Sequence, residues 1–195
     1  SPAPVLPDAD LGRMADLTVR PVLREMARRG TPFKGILYAG LMITDNGPKV
    51  LEYNVRFGDP ECQPLLMRLD EDLIGLMRAC VDGTLAGRTL RLKPQAALGV
   101  VLAAAGYPGS YLKGMEISGI HSAERLASVC VFQAGTRREG DKVFANGGRV
   151  LCVTALGEDL ADAQKHAYEA MNCISMPDSF YRRDIGAKGL KRLRE

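Results

Sequence analysis

The sequence predicts an α+β protein in two parts. Apolar residues recur at helical spacing near the start of the chain, and two strand-like runs follow on either side of a turn signal, Asn46-Gly47. A second group of apolar runs comes later and is richer in β structure. Residues 84–95 separate the two groups and have no apolar period, so we expect one part to span 1–86 and the other 95–195.

The first part begins with a predicted helix. Asp8 is a suitable N-cap, because its side chain can accept a hydrogen bond from the first turn. Pro21 should interrupt this helix, and Gly30 should follow its last turn. The positions expected to repeat along one face are Leu11, Met14, Thr18 and Val22.

A hairpin and two further helices complete the first part. Asn-Gly is a strong short-range hairpin signal, and proline is favoured at the first position of a helix. The apolar face of the last helix should hold Leu73, Leu76, Met77, Cys80 and Val81, with Gly83 as its end. The predicted segments are strands 35–44 and 49–55, a helix starting at Asp59-Pro60, and a helix over 70–82.

The second part combines several strands with one long helix. Asp159 is predicted to cap that helix, whose apolar face runs from Leu160 to Met171. The last two strands should form a hairpin through Asn146-Gly147-Gly148. The predicted strands are 97–104, 129–134, 142–145 and 149–155.

Composition narrows the class of protein. The 195 residues are 46% hydrophobic and 25% charged, which is ordinary for a soluble globular protein and argues against disorder. The net charge is +3, and the only basic cluster, residues 188–194, is terminal, so no nucleic acid is expected as a partner. The longest apolar run, residues 96–105, is shorter than the ~20 residues that a membrane span needs. No signal peptide is visible.

The cysteines give no sign of a disulfide framework or a zinc site. Both would need closer, paired spacings, and the chain has no Cys-x-x-Cys pair. We expect most of these thiols to be small core residues in a reducing cytoplasm: Cys62, Cys80, Cys130, Cys152 and Cys173.

The segment that can carry chemistry contains Glu52, Asn54 and Arg56. Side chains alternate between the faces of a strand, so these three should share one face. A carboxylate and an amide oxygen side by side suit Mg²⁺, which takes one or two carboxylates and completes its shell with water and phosphate. The guanidinium of Arg56 has a planar set of donors that suits a phosphate or a carboxylate. The apolar neighbours should pack on the opposite face: Leu51, Tyr53 and Val55.

Spacing alone leaves two interpretations open at this strand. Polar residues at alternate positions also mark the solvated face of an antiparallel sheet, and that is the commoner meaning of the pattern. The turn at Asn146-Gly147-Gly148 is open in the same way. It is either a tight turn that uses glycine for its backbone freedom, or an anion-binding turn beside Arg149.

Ordered blocks of residues occur along essentially the whole chain, and the most distinctive is Glu-x-Asn-x-Arg-Phe-Gly-Asp-Pro-Glu at residues 52–61. Through these blocks the sequence resembles the phosphoribosylamine–glycine ligase family, also called glycinamide ribonucleotide synthetase. The family typically has a histidine where this chain has Gln133, so no role of that histidine is expected here. The blocks are residues 35–44, 47–61, 106–111, 134–136, 146–151 and 180–186.

The resemblance implies a fold and an activity. The fold is the C-terminal part of an ATP-grasp domain, an antiparallel sheet with helices, followed by a small mixed α/β domain. The activity is the ATP-dependent joining of glycine to 5-phosphoribosylamine in purine biosynthesis, through glycyl phosphate. Together with the composition, it predicts a cytoplasmic protein that has no nucleic-acid or membrane partner and is monomeric in its full-length form.

The resemblance also implies roles for residues. Glu52 and Asn54 would bind the Mg²⁺ or Mn²⁺ that accompanies ATP. Arg56 would be the catalytic residue, holding the transferred phosphoryl group or a substrate carboxylate. Apart from the resemblance, the anion-binding interpretation of the turn at 146–149 would make Gly148 and Arg149 contacts to substrate.

The chain begins at Ser1 and matches no N-terminal domain of the family, so we expect it to be inactive alone. The alternatives are another ATP-grasp carboxylate–amine ligase and a non-catalytic ATP-grasp-derived module that binds proteins. His121 and His166 have no carboxylate or nucleophile at a telling spacing and are expected at the surface.

Overall fold

The computed structural model describes residues 1–195. A 3₁₀ helix at Asp8–Asp10 precedes seven α-helices and nine strands. The helices are α1 Leu11–Thr18, α2 Arg20–Arg28, α3 Cys62–Arg68, α4 Leu73–Asp82, α5 Ile120–Glu124, α6 Leu160–Asn172 and α7 Ala187–Arg192. The strands are β1 Tyr38–Thr44, β2 Gly47–Asn54, β3 Ala96–Ala104, β4 Glu116–Ile117, β5 Val129–Gln133, β6 Thr136–Glu139, β7 Lys142–Ala145, β8 Arg149–Gly157 and β9 Ser179–Phe180.

The chain divides into two compact units. Unit 1 comprises Ser1, Pro60–Arg68 and Lys93–Glu195, and unit 2 comprises Pro2–Asp59 and Leu69–Leu92. This partition differs from the predicted 1–86 and 95–195 mainly in helix α3, which packs on strands β3 and β8. The domain limits taken from sequence remain a prediction.

Unit 1 is built on a four-stranded antiparallel sheet in the order β5-β8-β3-β9. Helix α6 packs on β3 and β8, and Asp159 caps it by accepting hydrogen bonds from the main-chain N–H groups of Ala161 and Asp162. The predicted cap is therefore confirmed. The core lies between this helix and the sheet, and its largest fully buried side chains include Leu151, Met171, Val100, Val150 and Val153.

Helix α3 packs on the same sheet, with Pro64 over Gly99 in the middle of β3. A Cβ on Gly99 would lie 3.4 Å from Cγ of Pro64 and 3.0 Å from Sγ of Cys152. A glycine inside a strand commonly marks such a close approach. The helix begins at Cys62, two residues later than the predicted start at Pro60, because residues 59–61 form a turn.

A second, three-stranded antiparallel sheet in unit 1 has the order β4-β7-β6. Strand β7 pairs with β4 and β6, whereas β8 pairs with β3 and β5. The predicted hairpin through Asn146-Gly147-Gly148 is therefore wrong, since this segment carries the chain from one sheet to the other.

Unit 2 contains the β1–β2 hairpin. Thr44 pairs with Gly47, which leaves Asp45 and Asn46 as a two-residue turn, and Gly47 has a φ of +91°. The hairpin prediction is confirmed. Its glycine is needed because few other residues adopt a positive φ without strain.

Unit 2 also contains helices α1, α2 and α4. The break predicted near Pro21 is confirmed, because α1 ends at Thr18 and Pro21 lies in the first turn of α2. The cap prediction at Asp8 is wrong, since Asp8 lies inside the 3₁₀ helix and makes no side-chain cap. Met14 and Thr18 are buried as predicted, but Leu11 is exposed.

Helix α4 begins three residues later than predicted. Asp72 sets its start by accepting hydrogen bonds from the N–H groups of Ile74 and Gly75, and Gly83 ends it with a φ of +73°. Its buried residue is Ala79, whereas Met77 and Val81 of the predicted apolar face are exposed.

Candidate functional site

Glu52 and Asn54 lie side by side near the end of strand β2. Their side chains meet, and the Asn54 amide nitrogen Nδ2 donates a hydrogen bond of 2.8 Å to Oε1 of Glu52. Glu52 is exposed and Asn54 is half-buried. The two residues therefore offer a carboxylate and an amide on one accessible face of the hairpin.

The partner strand leaves room for the Glu52 side chain. Glu52 pairs with Gly40, and a Cβ on Gly40 would lie 3.2 Å from Cγ of Glu52. The register shifts next to this pair, because Leu41 pairs with Val50 and Leu51 has no partner residue. Bulges of this kind re-aim side chains and are common beside functional sites. Sequence reasoning missed both features, although a glycine within a strand run was the available signal.

The opposite face of β2 is fixed by Tyr53. Its hydroxyl donates a hydrogen bond of 2.6 Å to the main-chain oxygen of Thr18, the last residue of α1. The alternation predicted from the sequence thus holds for Tyr53. It does not lead to burial of its apolar neighbours, since Leu51 is 65% exposed and Val55 is 74% exposed.

Arg56 lies outside the strand. Strand β2 ends at Asn54, and Arg56 follows in a bend, so the prediction that it shares a regular strand face with Glu52 is wrong. Its NH1 donates a hydrogen bond of 2.9 Å to the main-chain oxygen of Phe57. The guanidinium is exposed and therefore accessible to an anionic group.

The Glu52–Asn54 pair fits a hard divalent cation that keeps most of its shell in water or phosphate oxygens. One carboxylate and one amide oxygen are the donor types that Mg²⁺ prefers, and two protein ligands are typical of its nucleotide-bound sites. No group of three or more His, Cys, Asp or Glu side chains gathers in the chain to form a closed metal cage. An open, two-ligand site is the only kind these residues can provide.

The segment that leads into β8 is constrained by close approach. A Cβ on Gly147 would lie 2.9 Å from Cα of Gly135, and a Cβ on Gly135 would lie 2.6 Å from the main-chain oxygen of Arg149. The N–H of Gly135 donates to that same oxygen at 2.9 Å. Two stretches of backbone therefore pack directly on each other, which only glycine permits.

Gly148 is buried beneath two aromatic rings. A Cβ there would lie 2.3 Å from Cδ2 of Tyr107 and 2.9 Å from Cε1 of Tyr111. The two rings lie 6.2 Å apart and are tilted by 59°. Neither Gly147 nor Gly148 has a positive φ, so the interpretation that glycine serves turn geometry here is wrong. Sequence reasoning missed the tyrosines, because they lie about 40 residues away along the chain.

The predicted site residues fall in both units. Glu52, Asn54 and Arg56 belong to unit 2, whereas Gly148 and Arg149 belong to unit 1. Within unit 2 the structure brings Glu52 and Asn54 together. Within unit 1, Gly148 and Arg149 lie at the start of β8.

The two histidines and the five cysteines are the remaining candidates. His121 is exposed as expected, but His166 is half-buried, with Nδ1 2.9 Å from the main-chain oxygen of Leu156. All five cysteines are free thiols, and only Cys152 is fully buried. Burial raises the pKa of the Cys130 thiol, with a smaller contribution from Glu124, which makes that thiol less reactive. No helix combines the length and the apolar character that a membrane span requires.

Comparison with known protein families shows the class to which this protein belongs. Residues 1–62 match "Phosphoribosylglycinamide synthetase, ATP-grasp (A) domain", so the hairpin that carries Glu52 and Asn54 is part of an ATP-grasp domain. Residues 97–188 match "Phosphoribosylglycinamide synthetase, C domain". The chain belongs to the phosphoribosylglycinamide synthetase family.

Relatives with curated names agree with this assignment. A phosphoribosylamine–glycine ligase of Mesorhizobium japonicum is 52% identical over 194 residues, which is 100% of this chain and 45% of the relative. One of Rhodopirellula baltica is 50% identical over 97% of this chain and 44% of the relative. The chain therefore spans a little under half the length of these relatives.

Solved structures agree with the fold. The crystal structure of the phosphoribosylamine–glycine ligase of Thermotoga maritima superimposes with a TM-score of 0.80 at 32% identity, over 92% of this chain and 44% of that one. The urea carboxylase of Kluyveromyces lactis gives a TM-score of 0.62 at 18% identity, over 100% of this chain and 17% of that one, which is a likeness of fold alone.

Proposed function

We propose that this chain supplies the metal-binding strand and the C domain of a ligase that joins glycine to 5-phosphoribosylamine. The reaction gives glycinamide ribonucleotide, ADP and phosphate in purine biosynthesis. The observation that carries the proposal is the contact between Asn54 Nδ2 and Glu52 Oε1, because it brings two suitable ligands together inside a segment of ATP-grasp type.

Glu52 and Asn54 are proposed to hold Mg²⁺ or Mn²⁺ together with the phosphates of ATP. Such an ion, when bound, neutralises negative charge on the phosphate oxygens. Gly40 supports this role because its missing side chain leaves the Glu52 carboxylate free to move toward a cation. Rotation of the Asn54 amide would turn its oxygen in the same direction, since the amide oxygen and nitrogen exchange places on a flip.

Arg56 is proposed to bind the phosphoryl group in transfer or the glycine carboxylate. Its present partner is one main-chain oxygen, that of Phe57. An anion would compete well for this guanidinium, because a carboxylate or phosphate carries the opposite charge and can accept two parallel hydrogen bonds from it. In the proposed reaction a glycine carboxylate oxygen attacks the terminal phosphorus, ADP leaves, and the amine of phosphoribosylamine then displaces phosphate.

Gly148 and Arg149 are proposed to contact substrate from unit 1. The packing of Tyr107 and Tyr111 on Gly148 supports this, because it gives the start of β8 a rigid backbone on which Arg149 is carried. We further propose a cytoplasmic, monomeric protein that has neither a nucleic-acid nor a membrane partner.

The proposed metal site is tested by measuring Mn²⁺ binding. Mn²⁺ should be titrated into the purified chain with and without ADP, with binding measured from the water-proton relaxation rate. Glu52→Gln should weaken Mn²⁺ binding at least about tenfold, because it removes the only charged ligand of the pair. Glu158→Gln is the matched control, since Glu158 is also exposed but lies in unit 1.

The reaction itself is tested with the complete product of the reading frame that contains this sequence. ADP should form only when glycine and phosphoribosylamine are both present, and Glu52→Gln should abolish its formation. ADP release that requires a different carboxylate or amine would identify another ATP-grasp ligase. Two results together would favour a non-catalytic module: Glu52→Gln binds Mn²⁺ as tightly as the wild type, and the complete wild-type protein shows no turnover.

A further inference from the structure

Arg68 is the only charged residue among the buried residues of the chain. It is only 8% exposed, at the last position of helix α3. Arginine is rarely buried this deeply, because removing a guanidinium from water is costly unless its N–H groups find acceptors. Its burial therefore calls for a specific role.

The Arg68 side chain joins two segments that are far apart in sequence. NH1 donates a hydrogen bond of 3.0 Å to the hydroxyl of Ser1, and NH2 donates one of 3.3 Å to the main-chain oxygen of Lys93. Nε is buried without a partner. The guanidinium thus spans the two segments, with one terminal nitrogen donating to Ser1 and the other to Lys93.

The backbone reinforces the same three residues. The N–H of Lys93 donates to the main-chain oxygen of Arg68 at 2.7 Å. Ser1 pairs with Ala97 in both directions, with hydrogen bonds of 2.5 Å from Ser1 N and 2.8 Å from Ala97 N. Ser1, Arg68 and Lys93 are therefore held to one another and to the first residues of β3, all within unit 1.

These three residues have a special place in the chain. The chain passes between the units at four points, and three of them have Ser1, Arg68 or Lys93 as their last residue in unit 1. The fourth is at Pro60. We propose that Arg68 is a positioning residue that clasps three of the four connections at their unit 1 ends.

The clasp has a distinct physical consequence. Each connection, held alone, would let its junction residue fray, because a chain segment with few buried contacts opens easily. One guanidinium that bonds two of the junctions makes their opening cooperative. Loss of Arg68 should therefore loosen the junctions while the sheet of unit 1 stays closed.

Hydrogen–deuterium exchange of the full chain, with fragmentation to single amides, tests the clasp. In Arg68→Met, the amides of Lys93 and Ala97 should exchange about tenfold faster than in the wild type, because hydrogen bonds to charged groups are among the stronger ones. The amide of Val153, in the middle of β8, should change less than twofold. Arg125→Met is the matched control, because Arg125 is exposed at the end of α5.

Two further variants keep the test decisive if Arg68→Met fails to fold. Ser1→Ala removes one acceptor and should raise exchange at Ala97 about threefold, and in Arg68→Lys, where a single ammonium replaces the fork, the effect should be intermediate. Exchange at Lys93 and Ala97 that matches the Arg125→Met control would overturn the clasp. So would an equal rise at Val153, since Arg68 would then contribute only to overall stability.

Discussion

The ring of Tyr107 lies so close to Gly148 that a β-carbon on the glycine would be 2.3 Å from Cδ2 of the ring. Gly148→Ala should therefore force the ring or the strand to move. We expect the free energy of unfolding to fall by about 1–3 kcal/mol, measured by urea denaturation.

A matched control for this substitution lies in helix α1. A Cβ on Gly12 would have no neighbouring atom within 4 Å, so Gly12→Ala should stabilise the protein by up to about 1 kcal/mol. Combining Gly148→Ala with Tyr107→Ala should recover part of the loss. If Gly148→Ala is as harmless as Gly12→Ala, the packing of Tyr107 on Gly148 is not tight in solution.

Arg149 tests the substrate role of the same segment. In the complete product of the reading frame, Arg149→Ala should raise the KM for phosphoribosylamine at least about tenfold with a smaller change in kcat, because a charge-assisted contact is lost on binding. Arg138→Ala, at an exposed position in β6, is the control. A KM equal to that of the control would remove Arg149 from the substrate site.

The two aspartate caps should be comparable in strength. Asp159 accepts from Ala161 N and Asp162 N, and Asp72 accepts from Ile74 N and Gly75 N. Changing either to alanine should lower the free energy of unfolding by about 1 kcal/mol, whereas Asp159→Asn should have little effect. Thermal denaturation followed by circular dichroism measures both. Equal losses in Asp159→Asn and Asp159→Ala would show that charge, and not the hydrogen bond, supports α6.

Tyr53 provides a test of the hairpin. Tyr53→Phe removes the hydroxyl that bonds Thr18 O at 2.6 Å, and should lower the free energy of unfolding by about 0.5–1.5 kcal/mol. The Mn²⁺ affinity of the Glu52 site should stay unchanged, because Tyr53 points to the other face. A loss of Mn²⁺ binding in Tyr53→Phe would mean that strand β2 needs this tie to hold its ligands.

The pKa of Asp184 reports on a surface ion pair. Arg182 donates hydrogen bonds of 2.9 and 2.7 Å to this carboxylate and lowers its pKa below the ordinary value. Because the folded-state pKa is the lower one, the stabilisation is present above the ordinary aspartate pKa and is lost as pH falls through the lowered value. Arg182→Gln should raise the Asp184 pKa toward the ordinary value in an NMR titration of its carboxyl carbon.

The control for this titration is the neighbouring arginine. Arg183 lies over the Tyr181 ring at 5.3 Å and does not bond Asp184, so Arg183→Gln should leave the Asp184 pKa nearly unchanged. Equal shifts in the two variants would indicate a general field effect in place of a specific pair.

Local features of this fold were predictable from the sequence. The cap at Asp159, the helix end at Gly83 and the turn before Gly47 depend on residues within four positions of each other. The pairing of β7 and β8 was not predictable in the same way. A glycine-rich link indicates a change of direction, but only distant contacts, such as Gly135 against Gly147, decide which sheet each strand joins.

The candidate site was predictable in part for the same reason. Alternation brought Glu52 and Asn54 onto one face, but it also put Arg56 there, because it assumes that the strand continues. The strand ends at Asn54, and that end is not marked by glycine or proline until Gly58. The bulge at Leu51 has only an indirect signal in the sequence, the glycine at position 40, since its position is set by the pairing with β1.

The order of synthesis separates helix α3 in time from the strands on which it packs. Every residue of unit 2 precedes Lys93, so this unit is complete in sequence as soon as Leu92 has been made. Helix α3 is made earlier still, yet the strands on which it packs, β3 and β8, follow later in the chain. As domains are synthesised from the N-terminus, unit 2 has the chance to fold first. The surface of α3 that ends up against the sheet must then stay exposed until β8 leaves the ribosome.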